Sequence, residues 1–138
     1  MRLGQQEARR RFELSRAARL ATVSADGQPH LVPVTFALDR DMIYTAIDAK
    51  PKFTRQLRRL SNIRANPRVC LLADHYADDW SALWWARADG TAAILSDPAE
   101  MAAPARLLAG RYPQYAAAPP DGPVIAILVS RWTGWAAS

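Results

Sequence analysis

Short β-prone runs separated by tight turns fill the first third of this chain and leave few folds open to it. Leu20-Ala21-Thr22-Val23 is followed by Asp26-Gly27, a strong hairpin signal because glycine tolerates the positive φ that such turns require. The run His30 to Leu38 is rich in Val, Thr and Phe and ends at a second turn, Asp39-Arg40-Asp41. Met42 to Ile47 adds a third strand with β-branched and aromatic content. Successive hairpins predict antiparallel pairing rather than a parallel sheet with helical crossovers. Pro33 falls inside the second run. A proline cannot donate to a ladder, so Pro33 marks an edge, a bulge, or a place where something other than a strand lies alongside.

The remaining pattern alternates helices with further strands. Glu7 to about Ala18 reads as a short helix weighted by Phe12 and Leu14. The clearest helix runs from Lys52 to about Asn66, with Phe53, Leu57, Leu60 and Arg64 at i, i+4, i+7 and i+11, Ile63 adjacent, and Asn66-Pro67 as its stop. Arg68–Ala73 predicts a buried strand, and Asp74–Ser81 an acidic, aromatic loop. Leu83–Arg87 and Thr91–Leu95 read as strands broken near Asp89-Gly90. Asp97-Pro98-Ala99-Glu100 opens a helix, with a capping Asp, proline in the first position and Glu in the third. Met101, Ala105 and Leu108 form its inner face and Gly110 ends it. Tyr112–Gly122 reads as proline-rich loop, and Val124–Val129 as the last strand, with Trp132 and Trp135 beyond it. The expectation is a mainly β domain spanning 1–138, with six or seven mostly antiparallel strands and about three short helices. Closing the sheet into a small barrel, helices over its open ends, removes exposed strand edges.

Composition narrows the functional classes. Half of the 138 residues are apolar and 22% are charged, which disfavours disorder. The longest apolar run, Val124–Val129, is far short of the ~20 residues a membrane helix needs. The N-terminal stretch carries charges where a signal peptide needs an apolar core. A cytoplasmic protein with no membrane role is expected. One cysteine excludes an intramolecular disulfide framework and a multi-cysteine zinc site, and Cys70, in the run Val69-Cys70-Leu71-Leu72, reads as a small core side chain.

Charge distribution says more than the net charge of +5. Between Ala49 and Ala73 there is no acidic residue, while Lys50, Lys52, Arg55, Arg58, Arg59, Arg64 and Arg68 are all basic. A field of one sign attracts anions. Lys50, Lys52, Thr54 and Arg55 join a strand to a helix, where free N–H groups and the helix dipole favour negative charge. Basic residues in a first turn oppose that dipole, a cost that a bound anion would offset; a merely solvated basic helix is the alternative. No Gly-rich phosphate loop and no GxSxG occurs, His30 has no catalytic motif around it, and no metal site is expected from the Asp74–Asp79 cluster. The chain also lacks the motifs of common nucleic-acid modules, so no nucleic-acid partner is expected. Adjacent Trp84 and Trp85 in a strand face opposite sides, so at most one fills the protomer's own core. With Trp80, Trp132 and Trp135, they favour a buried interface.

The run LATVSADGQPHLVPVTFALDRDMIYTAIDAKPKFTRQLRRLSNIRANPRVCLLADHY, together with the tail SRWTGW, resembles the split β-barrel, FMN-binding-like proteins of the pyridoxamine-phosphate-oxidase-like superfamily, most of all the coenzyme F420 branch. The resemblance implies a homodimer with two cofactor sites at the subunit interface. Val32, Pro33 and Val34 match the strand whose backbone lies beside the flavin or deazaflavin ring. Thr45 matches the cofactor-contacting strand, and Lys50, Lys52, Thr54 and Arg55 match the phosphate-binding turn. Trp80 matches a loop near the partner subunit's ligand. The flavin-using oxidases have a contiguous Ser-Arg-Lys where this chain reads Ala49-Lys50-Pro51-Lys52, so the register of the phosphate contacts can differ by one residue.

The resemblance implies an oxidoreductase that uses coenzyme F420 to pass a hydride to an unidentified small-molecule substrate, with no catalytic residue singled out. An FMN-dependent oxidase or reductase on the same fold is the first alternative, and a non-catalytic cofactor carrier the second. The long acid-free stretch favours coenzyme F420 over FMN, because its phosphodiester and polyglutamate tail carry more negative charge than one phosphate.

Overall fold

A computed structural model describes residues 1–47, 54–120 and 122–138, with the side chains of residues 54–57 outside the description. The elements run β1 (Arg2–Leu3), α1 (Gln5–Leu14), β2 (Ala18–Val23), β3 (Pro29–Val34), β4 (Ala37–Asp39), β5 (Met42–Ala46), α2 (Thr54–Ala65), β6 (Arg68–His75), a 3-10 turn at Trp80–Ala82, β7 (Trp84–Leu95), α3 (Pro98–Arg111), α4 (Pro113–Ala117) and β8 (Val124–Ala136). The strands form one sheet in the order β3-β2-β6-β7-β8-β5-β4, with β1 added to the far end of β8. Every pairing is antiparallel.

The expected hairpin is present. Gly27 has φ 90°, and its N–H donates to the Ser24 carbonyl at 3.0 Å, while the Gln28 N–H donates to Ser24 Oγ at 2.9 Å. The second turn places Arg40 at φ 58°, its carbonyl held by the Arg9 guanidinium at 2.6 and 2.9 Å.

Topology explains why the sheet curls. Strands β3 and β4 end the ladder path on opposite sides, yet only Thr35 and Phe36 join them. A two-residue link spans little distance, so the two ends of the sheet must come together without a ladder between them. This is the split of the barrel. Phe36 fills it from inside, fully buried, and packs on Phe12 with ring centroids 4.8 Å apart. Phe12 in turn meets Trp132 edge-on at 5.3 Å.

Several elements are longer or more numerous than the sequence suggests. Eight strands and four α-helices are described. The His30–Leu38 run divides into β3 and β4 at Thr35-Phe36. Strand β7 is continuous, and the expected break is a bulge: Asp89 pairs with Arg131 but Gly90 with Val129, leaving Ser130 as the extra residue. A Cβ on Gly90 would overlap the Leu128 carbonyl oxygen, which is why glycine stands there. Strand β8 continues past Val129 to Ala136, so Trp132 is a core residue, 5% exposed, rather than a side chain beyond the last strand. Tyr112–Gly122 is not loop throughout, since it contains α4. Helix α3 opens as expected, with the Asp97 carboxylate accepting the Ala99 N–H at 3.1 Å.

Helix α2 is tied to the barrel by a buried polar pair, Asn62 Nδ2 donating to Thr22 Oγ1 at 3.0 Å. Leu60 and Ile63 supply its buried apolar contacts. Among the described residues, no helix is long and apolar enough to cross a membrane.

Candidate functional site

Strand β3 is the terminal strand of the sheet and pairs only with β2 among the described residues. Val32 and Val34 point inward and are 8% and 6% exposed, whereas Leu31 and Pro33 face out. The strand is therefore anchored by its side chains, and no strand among the described residues pairs with its second backbone edge. Pro33 costs the ladder nothing where its nitrogen faces that edge. Thr45 lies on β5 and is buried, 1% exposed.

Lys50 and Lys52 lie outside the described residues. Thr54 and Arg55 open α2, with their side chains outside the description. Further along α2 two more arginines of the acid-free stretch separate: Arg58 is exposed, while Arg59 is half-buried. Arg59 Nε is buried with no hydrogen-bond partner, and burial pushes the guanidinium below its ordinary pKa. Sequence reading left these two arginines equivalent. Counting back one turn from Asn62 and Ile63 would have put Arg59, not Arg58, on the inward side.

Trp80 stands on the 3-10 turn, 74% exposed. The turn beneath it is well built. Asp79 Oδ1 accepts from the Ser81 hydroxyl at 2.7 Å and the Ser81 N–H at 3.0 Å, and these bonds lower the Asp79 pKa. The Ser138 hydroxyl donates to the Ser81 carbonyl at 2.6 Å, fastening the chain end to the same turn.

The outer face of the sheet brings Pro33 and Cys70 together with residues that the sequence did not place there. Register aligns Pro33, Arg19, Leu72, Arg87 and Thr133 in one row, and Leu31, Ala21, Cys70, Asp89 and Arg131 in the next. A groove of ≈ 710 Å³ runs over this face, lined by Arg68, Arg87 and Arg131 as well as Cys70 and Asp89. Cys70 is thus not a core side chain. Val69, Leu71 and Ala73 alternate inward, and Cys70 and Leu72 face out. An unbroken apolar run hides that alternation. Burial, then the Asp89 carboxylate, push the Cys70 thiol up, so it stays protonated and is a poor nucleophile. Asp74 pairs with Arg19 at 3.0 Å across the same face. No group of residues suited to a metal ion occurs among the described residues.

The family model described as pyridoxamine 5'-phosphate oxidase matches residues 5–136. The chain belongs to that family. Solved structures share the fold of this pyridoxamine 5'-phosphate oxidase family member. A conserved hypothetical protein from Mycobacterium tuberculosis is 24% identical with TM-score 0.78, over 98% of this chain and 86% of that one. A FAD-binding protein from Mesorhizobium loti is 22% identical with TM-score 0.74, over 97% and 95%. The FAD binding protein from Mycobacterium smegmatis is 18% identical with TM-score 0.67, over 98% and 96%. At these identities the likeness is one of fold. No curated protein matches the sequence.

Proposed function

We propose that this protein is a flavin-type oxidoreductase that works as a homodimer, with coenzyme F420 as its hydride carrier and FMN as the alternative. The second backbone edge of β3 carries the reading. Val32 and Val34 anchor the strand by their buried side chains, so the edge through Pro33 is a rigid platform for a planar ring. Lys50, Lys52, Thr54 and Arg55 then hold the anionic end of the cofactor, and Thr45 contributes through its backbone. Support comes from the family, from two relatives of the same fold named as FAD-binding proteins, and from the acid-free stretch between Ala49 and Ala73.

When bound, the deazaflavin supplies the hydride; the protein binds it, orients it and excludes water from it. Coenzyme F420 is preferred because the positive residues continue along α2 beyond what one phosphate needs. The substrate is an electron-poor small molecule that enters beside the ring.

A second copy of the chain covers the outer sheet face. Leu31, Leu72 and Trp135 are 66%, 36% and 38% exposed there, and Cys70 and Trp85 lie among them. These apolar side chains stand exposed among the arginines of this face and gain a cover from the second copy. The Trp80 turn, rigid and exposed, reaches the partner's cofactor in this arrangement. Lys52→Ala is expected to weaken cofactor binding by about 1–3 kcal/mol, as loss of a charged hydrogen bond does. Equal affinity of variant and parent in a titration removes Lys52 from the site. A monomer in sedimentation at micromolar concentration contradicts the dimer.

A further inference from the structure

A groove of ≈ 530 Å³ lies between the end of α1, strand β4 and the C-terminal half of α3. It shares no residue with the candidate cofactor site or with the outer-face groove. Arg16, Arg106 and Arg111 line it, and none of the three has a carboxylate partner among the described residues. Glu13 is the one carboxylate in its lining, and it pairs with Arg9 at 3.9 Å. Leu38 and Leu107 add apolar surface. The groove is therefore a positively charged slot with a hydrophobic side, and it attracts anions.

Two of the arginines are held in place by neutral groups. Arg16 donates to the Arg111 carbonyl at 3.0 Å and lies over the Tyr112 ring at 5.0 Å. Arg111 donates to the Ser15 carbonyl and lies over the Phe36 ring at 4.5 Å and the Tyr112 ring at 5.5 Å. Its Nε is buried with no partner. Two cations thus share one tyrosine ring without a counter-charge. A guanidinium fixed on an aromatic face has given up its freedom already and is ready to take an oxyanion.

Gly110 points the same way. It lies inside α3, where glycine is a costly residue. Nothing in the fold requires it there: its φ is not positive, and a Cβ built on it meets nothing within 4 Å beyond the adjoining backbone. What the missing side chain does is keep the groove open. We propose that this groove binds a small organic anion, its carboxylate or phosphate oxygens received by Arg16, Arg106 and Arg111 and its apolar body laid along Leu38 and Leu107. The volume suits a ligand of that size. This second site is independent of the flavin-type reading.

Benzoate and phenyl phosphate are the probes, and benzamide is the uncharged counterpart of benzoate. Titrating the isotope-labelled full-length protein with either anion is expected to give saturable amide NMR shifts concentrated at Ser15, Arg16, Leu38 and residues 107–112, with no such shifts from benzamide. The tighter of the two anions names the head group. Arg16→Gln and Arg106→Gln are each expected to raise the Kd for the anions about tenfold, as loss of a charged hydrogen bond does. Gly110→Leu fills the groove, removes no charge and suits a helix. It is expected to melt at or above the parent temperature and to weaken both anions about tenfold, the loss of a charged hydrogen bond again setting the scale. Failure of both anions to bind overturns the proposal. So do shifts confined to α2, equal binding of benzamide, or a Gly110→Leu protein that binds as the parent does. If an arginine variant does not fold, the shift map of the parent and the Gly110→Leu titration decide the matter by the same outcomes.

Discussion

The Tyr112 hydroxyl closes the barrel's split against the Phe36 backbone: it accepts the Phe36 N–H at 3.1 Å and lies 3.0 Å from the Phe36 carbonyl oxygen. The Arg16 carbonyl is also within reach at 2.8 Å. Phe36 sits between β3 and β4, where the sheet has no ladder to satisfy its peptide groups. A side chain from the α3–α4 joint therefore does what a neighbouring strand does elsewhere. Tyr115 adds a second bond at the same place, its hydroxyl 3.1 Å from Thr35 Oγ1.

Tyr112→Phe leaves the buried Phe36 N–H unsatisfied while preserving the ring. It is expected to cost about 1–3 kcal/mol of stability. Urea denaturation checks this through a fall in midpoint with an unchanged slope. An unchanged midpoint shows that water substitutes for the hydroxyl.

Asn62 and Thr22 form the one buried polar contact described between α2 and β2, so the pair sets how α2 rotates on the barrel. Thr22→Val removes the acceptor and is expected to destabilise by about 1–3 kcal/mol, because the Asn62 amide is left buried and unpaired. In a double-mutant cycle with Asn62→Leu, the two losses are expected to be strongly non-additive. Simple additivity denies the pair its energetic role.

Gly90 faces the Leu128 carbonyl so closely that no Cβ fits. Gly90→Ala must push β7 from β8 at the Asp89–Gly90 bulge, which also shapes the outer-face groove. The expected loss is about 1–3 kcal/mol, as for other overpacked positions, read as a lowered melting temperature. A variant as stable as the parent means the two strands separate there at little cost.

Glu7 binds two arginines of α1, Arg10 through both carboxylate oxygens at 2.9 and 2.7 Å and Arg11 at 2.8 Å. These hydrogen bonds, Arg10 first, lower its pKa from an ordinary 4.5 to about 2. A carboxylate with a depressed folded-state pKa stabilises fully above its unfolded value and loses that contribution as pH falls through the folded value. Stability from Glu7 is therefore expected to fade between about pH 4.5 and pH 2. Glu7→Gln is expected to flatten the pH dependence of the melting temperature across that window and to leave it unchanged in shape above. Because Glu7 lies at the surface, the effect is modest and weakens with salt.

Much of this architecture is legible in the sequence because it is locally encoded. Asp26-Gly27 needs only its own φ preference to specify a hairpin, Asp97-Pro98 its own cap, and Pro33 its missing N–H to forecast an edge strand. What escapes is set by distant partners. Trp132 is a core residue because α1 brings Phe12 against it and the Gln5 side chain accepts its N–H, neither of which is visible from the tail. Cys70 and Leu72 look buried because apolar runs conceal which neighbours alternate outward. Arg58 and Arg59 differ only once Asn62 fixes the phase of α2 on the barrel. The candidate site is legible as a basic turn beside a proline-bearing strand.

The most direct measurement is a side-by-side fluorescence titration of the purified protein with coenzyme F420 and with FMN at physiological salt. Saturable binding at one cofactor per protomer is expected, with coenzyme F420 the tighter ligand. Failure of both compounds to bind contradicts it.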